Sequence, residues 1–393
     1  MGGPGLSPTA KAISRGTRRI PSTRPFFPQE TIGEVLRDIK SVLNSGVLTD
    51  GPHVRDLESE FAKYVKVRHG LAVASGTAAL EIVLRYFQVK GLEVLVPTNT
   101  FVATPNSVLF AGGKPIFVDI REDTLCVDPE DAKGKISTRT AGMIVVHIAG
   151  LICPQIRELV ELCEDHHMFL LEDCAHAHGG AIDGRMAGSL GDAGCFSMYA
   201  TKVMTTGEGG IITTDDGCLA ELACRMRSHG LDSGRRMTML GHNWRMSEIA
   251  AILGKSQLKS LEGFVYGRNE IAKRYESMLA ETDGVSVFRT PRDVRHSHYK
   301  YPVRLGDDID REKVGGILQE EYGIETGNVY DPPCHLHPFY RESFGTRLGD
   351  LPIAERVLKK VMCLPIYVGM TEEDVRYVSE AVGCSIDRSR EGN

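Results

Sequence analysis

No stretch of the 393 residues holds the roughly 20 consecutive apolar side chains that a helical membrane span needs, so no membrane partner is expected. The opening "MGGPGLSPTAKAISRGTRRIPSTRP" lacks the apolar centre of a signal peptide, and no secretion is expected from it. A strong excess of one charge is also missing. The net charge is −6 and is spread along the chain, which argues against nucleic acid as a partner. Ten cysteines occur without one C-x-x-C pair, and several (Cys163, Cys174, Cys195, Cys363) sit inside apolar segments. That usage suits a reducing, cytoplasmic setting where cysteine packs as a small hydrophobe. The cluster Cys334, His335, His337 and the pairs His166/His167 and His176/His178 each lack a second half at zinc-site spacing, so no metal is expected. Familiar catalytic signatures are absent as well. No G-x-G-x-x-G follows a strand, no G-x-S-x-G or H-E-x-x-H occurs, and "GKS" at 254–256 has Ile249 where a P-loop needs glycine.

What is present is an alternation. "GLAVAS" (70–75), "EVLVPT" (93–98), "KPIFVDI" (114–120), "AGMIVVHIAG" (141–150), "MFLLEDCA" (168–175), "AGCFSMYA" (193–200) and "GGIITTDD" (209–216) read as strands. Helical stretches such as "TAALEIVLRYFQ", "ATPNSVLFAGG" and "PQIRELVELCEDH" lie between most of them. Near-continuous apolar strands alternating with helices predict an α/β fold, with a mostly parallel seven-stranded sheet between helices. Ligands of such sheets bind beyond the carboxyl ends of the strands. After about residue 265 the texture changes to an amphipathic helix near 266–281, then "HYKYPVRL" and "DREKVGGILQEEYGI", which predicts a smaller C-terminal α+β domain. The expected division is a flexible N-terminal arm at 1–25, a large domain at 26–265 and a small domain at 266–393.

Three motifs fall at predicted strand ends. "SGTAAL", from Ser75, reads either as a capped helix start or as a cradle of backbone N–H groups for a phosphate. In "FLLEDCAHAHG", Glu172 and Asp173 end a strongly apolar strand. A carboxylate there either caps a helix or needs a cationic partner, because burying it alone is costly. His176, one turn on, is either a packed core histidine or a flanking hydrogen-bond group. In "CFSMYATKVMTTGEGGIITTDD", Ser197 offers a hydroxyl near a strand end and Lys202 follows on the loop. Most lysines are merely solvated. Yet a phosphate cradle, a buried aspartate and a loop lysine in that order are what a pyridoxal phosphate site requires: an amine for the aldehyde, a carboxylate for the ring nitrogen and donors for the phosphate.

Those stretches, with "PTNTFVATPNSVLFAGGKPIFVDI" and "GHNWRMSEIAAILGKSQL", make the chain resemble the DegT/StrS family of sugar aminotransferases over roughly residues 25–385. These are fold type I pyridoxal phosphate enzymes of the aspartate aminotransferase superfamily. The resemblance implies that Lys202 is the Schiff-base lysine and Asp173 the partner of the pyridine nitrogen. It implies that Gly76, Thr77 and Ser197 hold the phosphate, that Phe101 stacks on the ring and that His176 sits beside the ring hydroxyl. Asn243 would reach the phosphate of a neighbouring subunit, giving a homodimer with shared active sites. The implied activity moves an amino group from an amino acid, L-glutamate, to a nucleotide-linked 3- or 4-keto-deoxyhexose, with pyridoxamine phosphate formed between the two halves. Arg245 and, in "RHSHYKYPV", His296, His298, Tyr299 and Lys300 are candidate substrate contacts or else surface and packing groups.

The chain departs from the family pattern at His176, where many relatives carry Gln, and at "VHIAGLICP", which borders the expected substrate pocket. Sugar 3-dehydratases on this scaffold carry His in place of the lysine, so Lys202 counts against that branch. Keto-cyclitol aminotransferases and aminohydroxybenzoate synthases keep the lysine and stay open as alternatives, as does a non-catalytic, cofactor-binding regulatory relative.

Overall fold

The seven apolar runs become one sheet: β1 (His69–Val73), β2 (Glu93–Pro97), β3 (Lys114–Val118), β4 (Thr140–Val146), β5 (Phe169–Asp173), β6 (Ala193–Ser197) and β7 (Gly210–Thr214). The computed structural model describes residues 18–391. The order across the sheet is β1-β7-β6-β5-β4-β2-β3. All neighbours from β6 to β3 run parallel, whereas β7 is antiparallel to both β1 and β6. Helices cover both faces, so the strands need no polar side; all five residues of β5 are buried. The helix Gly76–Tyr86 is buried at every position from Ala78 to Leu84, which explains its lack of a polar stripe.

The reversed β7 matters for the site. A parallel return from β6 would need a crossover of a dozen or more residues. The antiparallel return lets the chain turn back at the same edge, and Ser197 faces Gly210 in register. The loop between β6 and β7, with Lys202 in it, therefore stays at the carboxyl edge of β5 and β6.

A second sheet of β8 (Val285–Val287), β9 (Tyr301–Leu305) and β10 (Val361–Leu364) is antiparallel and packs with the helices Arg311–Tyr322 and Glu372–Glu391. Its core includes Tyr275, Val303, Leu318 and Val378. One helix, Glu248–Leu279, is built into both cores. Leu258, Leu261, Phe264 and Val265 belong to the large core, and Ile271, Ala272, Tyr275 and Leu279 to the small one. The helix begins well before the 266–281 stretch that periodicity singled out. Residues 334–358 also return to the large domain, where Cys334, Tyr340 and Leu351 pack on Phe117.

Of the arm expected at 1–25, residues 1–17 lie outside the described residues. Ile20 is buried and pairs with Ile324 through two backbone hydrogen bonds to its flanking residues. Among the described residues no helix is long and apolar enough to cross a membrane. Two members of the cluster at Cys334 are engaged within the protein: the Cys334 thiol donates to the Thr100 carbonyl, and His335 bridges Thr98 and Glu355.

Glu172 shows why one carboxylate of the pair at the end of β5 is structural. It is fully buried and accepts from the backbone N–H groups of Gly188, Leu190 and Gly191 and from His147 Nε2, at 2.7–2.9 Å. Burial pushes its pKa up, but His147 and the amides outweigh that and hold it below the usual value. Glu172→Ala would strand three amides and a histidine. It is expected to cost about 3 kcal/mol or more, read as a lowered denaturation midpoint. An unchanged midpoint would show the loop to be held by something else.

Candidate active site

At the carboxyl edge of β5 and β6 lies a cavity of about 530 Å³, within the usual size for a small-molecule site. It is closed from below by the start of the helix Gly76–Tyr86. Ser75 caps that helix, its hydroxyl accepting from the Ala78 N–H at 3.1 Å. The N–H groups of Gly76 and Thr77 at the first turn thus belong to the set a helix leaves without internal partners. Glycine is required at 76 because a Cβ there would come within 2.8 Å of the Ser197 Cβ. The cradle and the end of β6 therefore touch.

Asp173 closes one wall. Its Oδ2 accepts from the Thr104 hydroxyl at 2.8 Å and its Oδ1 from the Ala175 N–H at 3.1 Å. Burial raises its pKa against the pull of Thr104, Ala175 and the Lys202 charge. A carboxylate so placed is short of a positive partner.

Lys202 is half-buried, and desolvation pushes its ammonium down to about 8, opposed by Asp173 and reinforced by Lys300. Its Nζ lies 4.6 Å over the Tyr299 ring and hydrogen-bonds to no other group among the described residues. The Tyr299 hydroxyl meets the Thr201 hydroxyl at 2.9 Å, tying that ring to the lysine's own loop. Below pH 8 the folded chain holds this ammonium out of water and the unfolded chain does not. The resulting loss of stability fades as pH rises from about 8 to the ordinary lysine value of 10.5. The apoprotein carrying Lys202→Met is therefore expected to be more stable than the unchanged apoprotein at pH 7 and equal to it near pH 10.5. Denaturation midpoints across that range check this, and a gain that did not vary with pH would exclude burial of charge as its cause.

His176 is neutral. Its Nδ1 accepts from the Ala149 N–H at 3.2 Å, so the proton sits on Nε2, which donates to the Tyr330 hydroxyl at 2.9 Å. Burial, and then the charges of Lys202 and Lys300, push its pKa well below the usual histidine value. Its ring lies 4.4 Å from that of Tyr299.

Of the residues singled out in the sequence, Gly76, Thr77, Phe101, Asp173, His176, Ser197, Lys202, Tyr299 and Lys300 line this cavity. Phe101 stands at the mouth, 58% exposed, with its ring 6.0 Å from that of Tyr330. Four others are elsewhere. Asn243 is exposed and outside the cavity of its own chain. Arg245 pairs with Asp50 at 3.5 Å. His298 is buried against His296, ring to ring at 3.8 Å, and lines a separate small cavity at the junction with β9. Thr104 and Tyr330 were not anticipated. Thr104 follows Phe101 by three residues at the start of a helix, a spacing that could have raised it; nothing in the sequence marks Tyr330.

The arrangement fits pyridoxal phosphate. It offers an amine held near neutrality, a buried carboxylate wanting a cation, and a helix start where a glycine is sterically obligatory.

The sequence profile of the DegT/DnrJ/EryC1/StrS aminotransferase family matches residues 29–383. The spore coat polysaccharide biosynthesis protein SpsC of Bacillus subtilis is 35% identical, over 94% of this chain and 98% of its own. The dTDP-3-amino-3,4,6-trideoxy-alpha-D-glucose transaminase of Micromonospora megalomicea is 32% identical, over 89% of this chain and 94% of its own. Among solved structures, the Helicobacter pylori aminotransferase PseC, involved in pseudoaminic acid biosynthesis, superposes with a TM-score of 0.88 at 27% identity. That match covers 94% of this chain and 100% of PseC.

Proposed function

The chain belongs to the DegT/DnrJ/EryC1/StrS aminotransferase family, and from that premise we propose that it moves an amino group from L-glutamate to a nucleotide-linked keto sugar. The acceptor in this reading is a 3- or 4-keto-deoxyhexose, and the product serves amino-sugar biosynthesis. The observation that supports the chemistry is a single cavity holding Lys202 and Asp173 at the carboxyl edge of the sheet. The sugar is supported by the relative whose name specifies a dTDP-linked amino sugar transaminase.

When bound, pyridoxal phosphate supplies an aldehyde for amines and a ring that draws electrons from the neighbouring carbon. The residues suited to hold it are Gly76, Thr77 and Ser197 for the phosphate, Phe101 for a ring face, Asp173 for the ring nitrogen and His176 beside it. Lys202 does the proton work. With its pKa lowered to about 8, a much larger fraction of its Nζ than of an ordinary lysine's is free amine at neutral pH, though the ammonium still predominates, and that free amine can take the donor's α-proton. In the second half of the cycle the same Nζ returns a proton to the sugar carbon that receives nitrogen. Tyr299 keeps that Nζ between the two tasks, under one ring and out of bulk water. Asp173 stays ionised opposite a protonated ring nitrogen, because a cation there offsets the burial that otherwise raises its pKa.

The test is direct. Enzyme supplied with pyridoxal phosphate, L-glutamate and dTDP-linked 3-keto or 4-keto sugars should yield 2-oxoglutarate and an aminated nucleotide sugar in equal amounts by mass spectrometry. Amination of keto cyclitols alone would overturn the sugar assignment.

We further propose that the enzyme works as a homodimer, with Asn243 completing the partner's phosphate site; its exposure outside its own cavity supports this. Co-expressed Lys202→Ala and Asn243→Ala chains should then recover about a quarter of wild-type activity, because random pairing leaves half the dimers with one intact site. No recovery above the separate variants would show that Asn243 does not complete the partner's site.

A further inference from the structure

Both substrates of the proposed reaction are anions, and the cavity has few cations to meet them. Among the described residues that line it, only Lys202 and Lys300 carry positive charge. Lys202 must be uncharged for its chemistry. Lys300 has no such duty.

Lys300 is also held ready. Its Nζ donates to the Asn328 carbonyl at 2.6 Å and lies 4.8 Å over the Tyr330 ring. An ammonium has three donors, and Asn328 takes one. Among the described residues no carboxylate pairs with Lys300, although the chain is rich in such pairs elsewhere. Most lysines on a protein surface end in water; this one is half-buried, inside a wall of the cavity.

The backbone around it is unusually constrained. The Lys300 N–H donates to the Ala149 carbonyl at 3.1 Å, and the Ser297 N–H to the Gly150 carbonyl at 3.1 Å. The Ser297 hydroxyl donates to the His176 carbonyl at 2.8 Å. Tyr330 of this wall has a left-handed backbone (φ 64°), as do two residues next to Lys300, Ala149 (φ 56°), whose carbonyl it bonds, and His298 (φ 47°). Such conformations are disfavoured for residues with a Cβ and persist where surrounding contacts enforce them, often at ligand sites. Here they carry Lys300 and the Tyr330 ring to opposite sides of one cation–ring contact.

We propose that Lys300 is the oxyanion-binding residue of this cavity, taking a carboxylate of the amino donor or a phosphate of the nucleotide sugar. The proposal deepens the aminotransferase reading and rests on it only for the choice of anions. Arginine, the commoner carboxylate clamp, does not line the cavity among the described residues, so a point charge does the work.

The experiment is calorimetric titration of the cofactor-loaded enzyme with two probes that cannot turn over. Glutarate has the donor's two carboxylates and no amine; thymidine diphosphate has the phosphates and no ketone. Lys300→Gln should bind glutarate about tenfold or more weakly, whereas Lys300→Arg should stay within about threefold of wild type. Loss on the glutarate arm assigns the donor carboxylate, and loss on the thymidine diphosphate arm assigns the acceptor phosphate. Unchanged affinity for both probes in Lys300→Gln, or wild-type enzyme that takes up neither, overturns the proposal. Neither probe depends on sugar turnover, so failure of the sugar assignment leaves the result readable.

Discussion

Lys202→Ala is expected to fold normally and to lose turnover by about ten-thousandfold or more, because one nitrogen serves as both nucleophile and proton carrier. The structure says why the loss should be confined to chemistry. Lys202 Nζ makes no hydrogen bond among the described residues, so its removal leaves no donor or acceptor stranded. What disappears is a buried charge and a contact with the Tyr299 ring. Lys300 is the other amine in the cavity, but its Nζ is committed to Asn328 and Tyr330, and it should not substitute. Three measurements separate the possibilities. Circular dichroism and the denaturation midpoint report the fold, single-turnover assays with glutamate report the chemistry, and borohydride treatment reports covalent attachment of the cofactor. Wild-type protein should carry the reduced cofactor on the peptide containing Lys202, and the variant should carry none. A stoichiometric adduct persisting in Lys202→Ala would falsify the assignment of the nucleophile.

Asp173→Asn should have the next largest effect, a fall in turnover on the order of a hundredfold to a thousandfold. The substitution keeps the shape and an acceptor for Thr104, so it tests charge alone. A neutral amide cannot hold a proton on the ring nitrogen opposite, and the electron-withdrawing power of the cofactor weakens. The apoprotein should respond the other way. Because burial raises the Asp173 pKa, its ionised form costs stability at neutral pH. That cost disappears as pH falls toward 3.8, where the carboxyl is protonated in folded and unfolded chains alike. Asp173→Asn apoprotein is therefore expected to be the more stable of the two at pH 7, with the gap closing in acid. A variant both less active and less stable at pH 7 without cofactor would point to a packing role instead.

The parts of this molecule legible in the sequence were those written in continuous local pattern. All seven sheet strands coincide with the apolar runs that announced them, five inside them and two, from His69 and Thr140, starting one residue earlier, because strands covered on both faces admit few polar residues. Direction was not legible. The residues of β7 look like those of the parallel strands, and nothing in their pattern marks its reversal against β1 and β6. At the end of β5 the sequence marked a buried carboxylate without saying which. Register decides it, since alternate residues of a strand face opposite sides: Asp173 meets the cavity and Glu172 the loop beneath. Tyr330 could not be found by motif, and Lys300 stood out only as one of several polar residues in its stretch, because each comes to the cavity from a part of the chain far removed in sequence. They are held by carbonyls and left-handed backbones that leave no compositional trace. His298, the more conspicuous histidine, turned out to be spent on packing against His296.

The helix Glu248–Leu279 has one more consequence. Its 32 residues make a rod of about 48 Å with side chains embedded in both hydrophobic cores. Loosening either core exposes one end of the same rod, so the two halves of the molecule are joined in a single cooperative melting event. In calorimetry that means one heat-absorption peak for the monomeric apoprotein, where two separately melting lobes would give two. It also means that the wall bearing Tyr299 and Lys300 shares its thermal fate with the sheet bearing Asp173. The catalytic cavity should fail all at once on heating, not one side before the other.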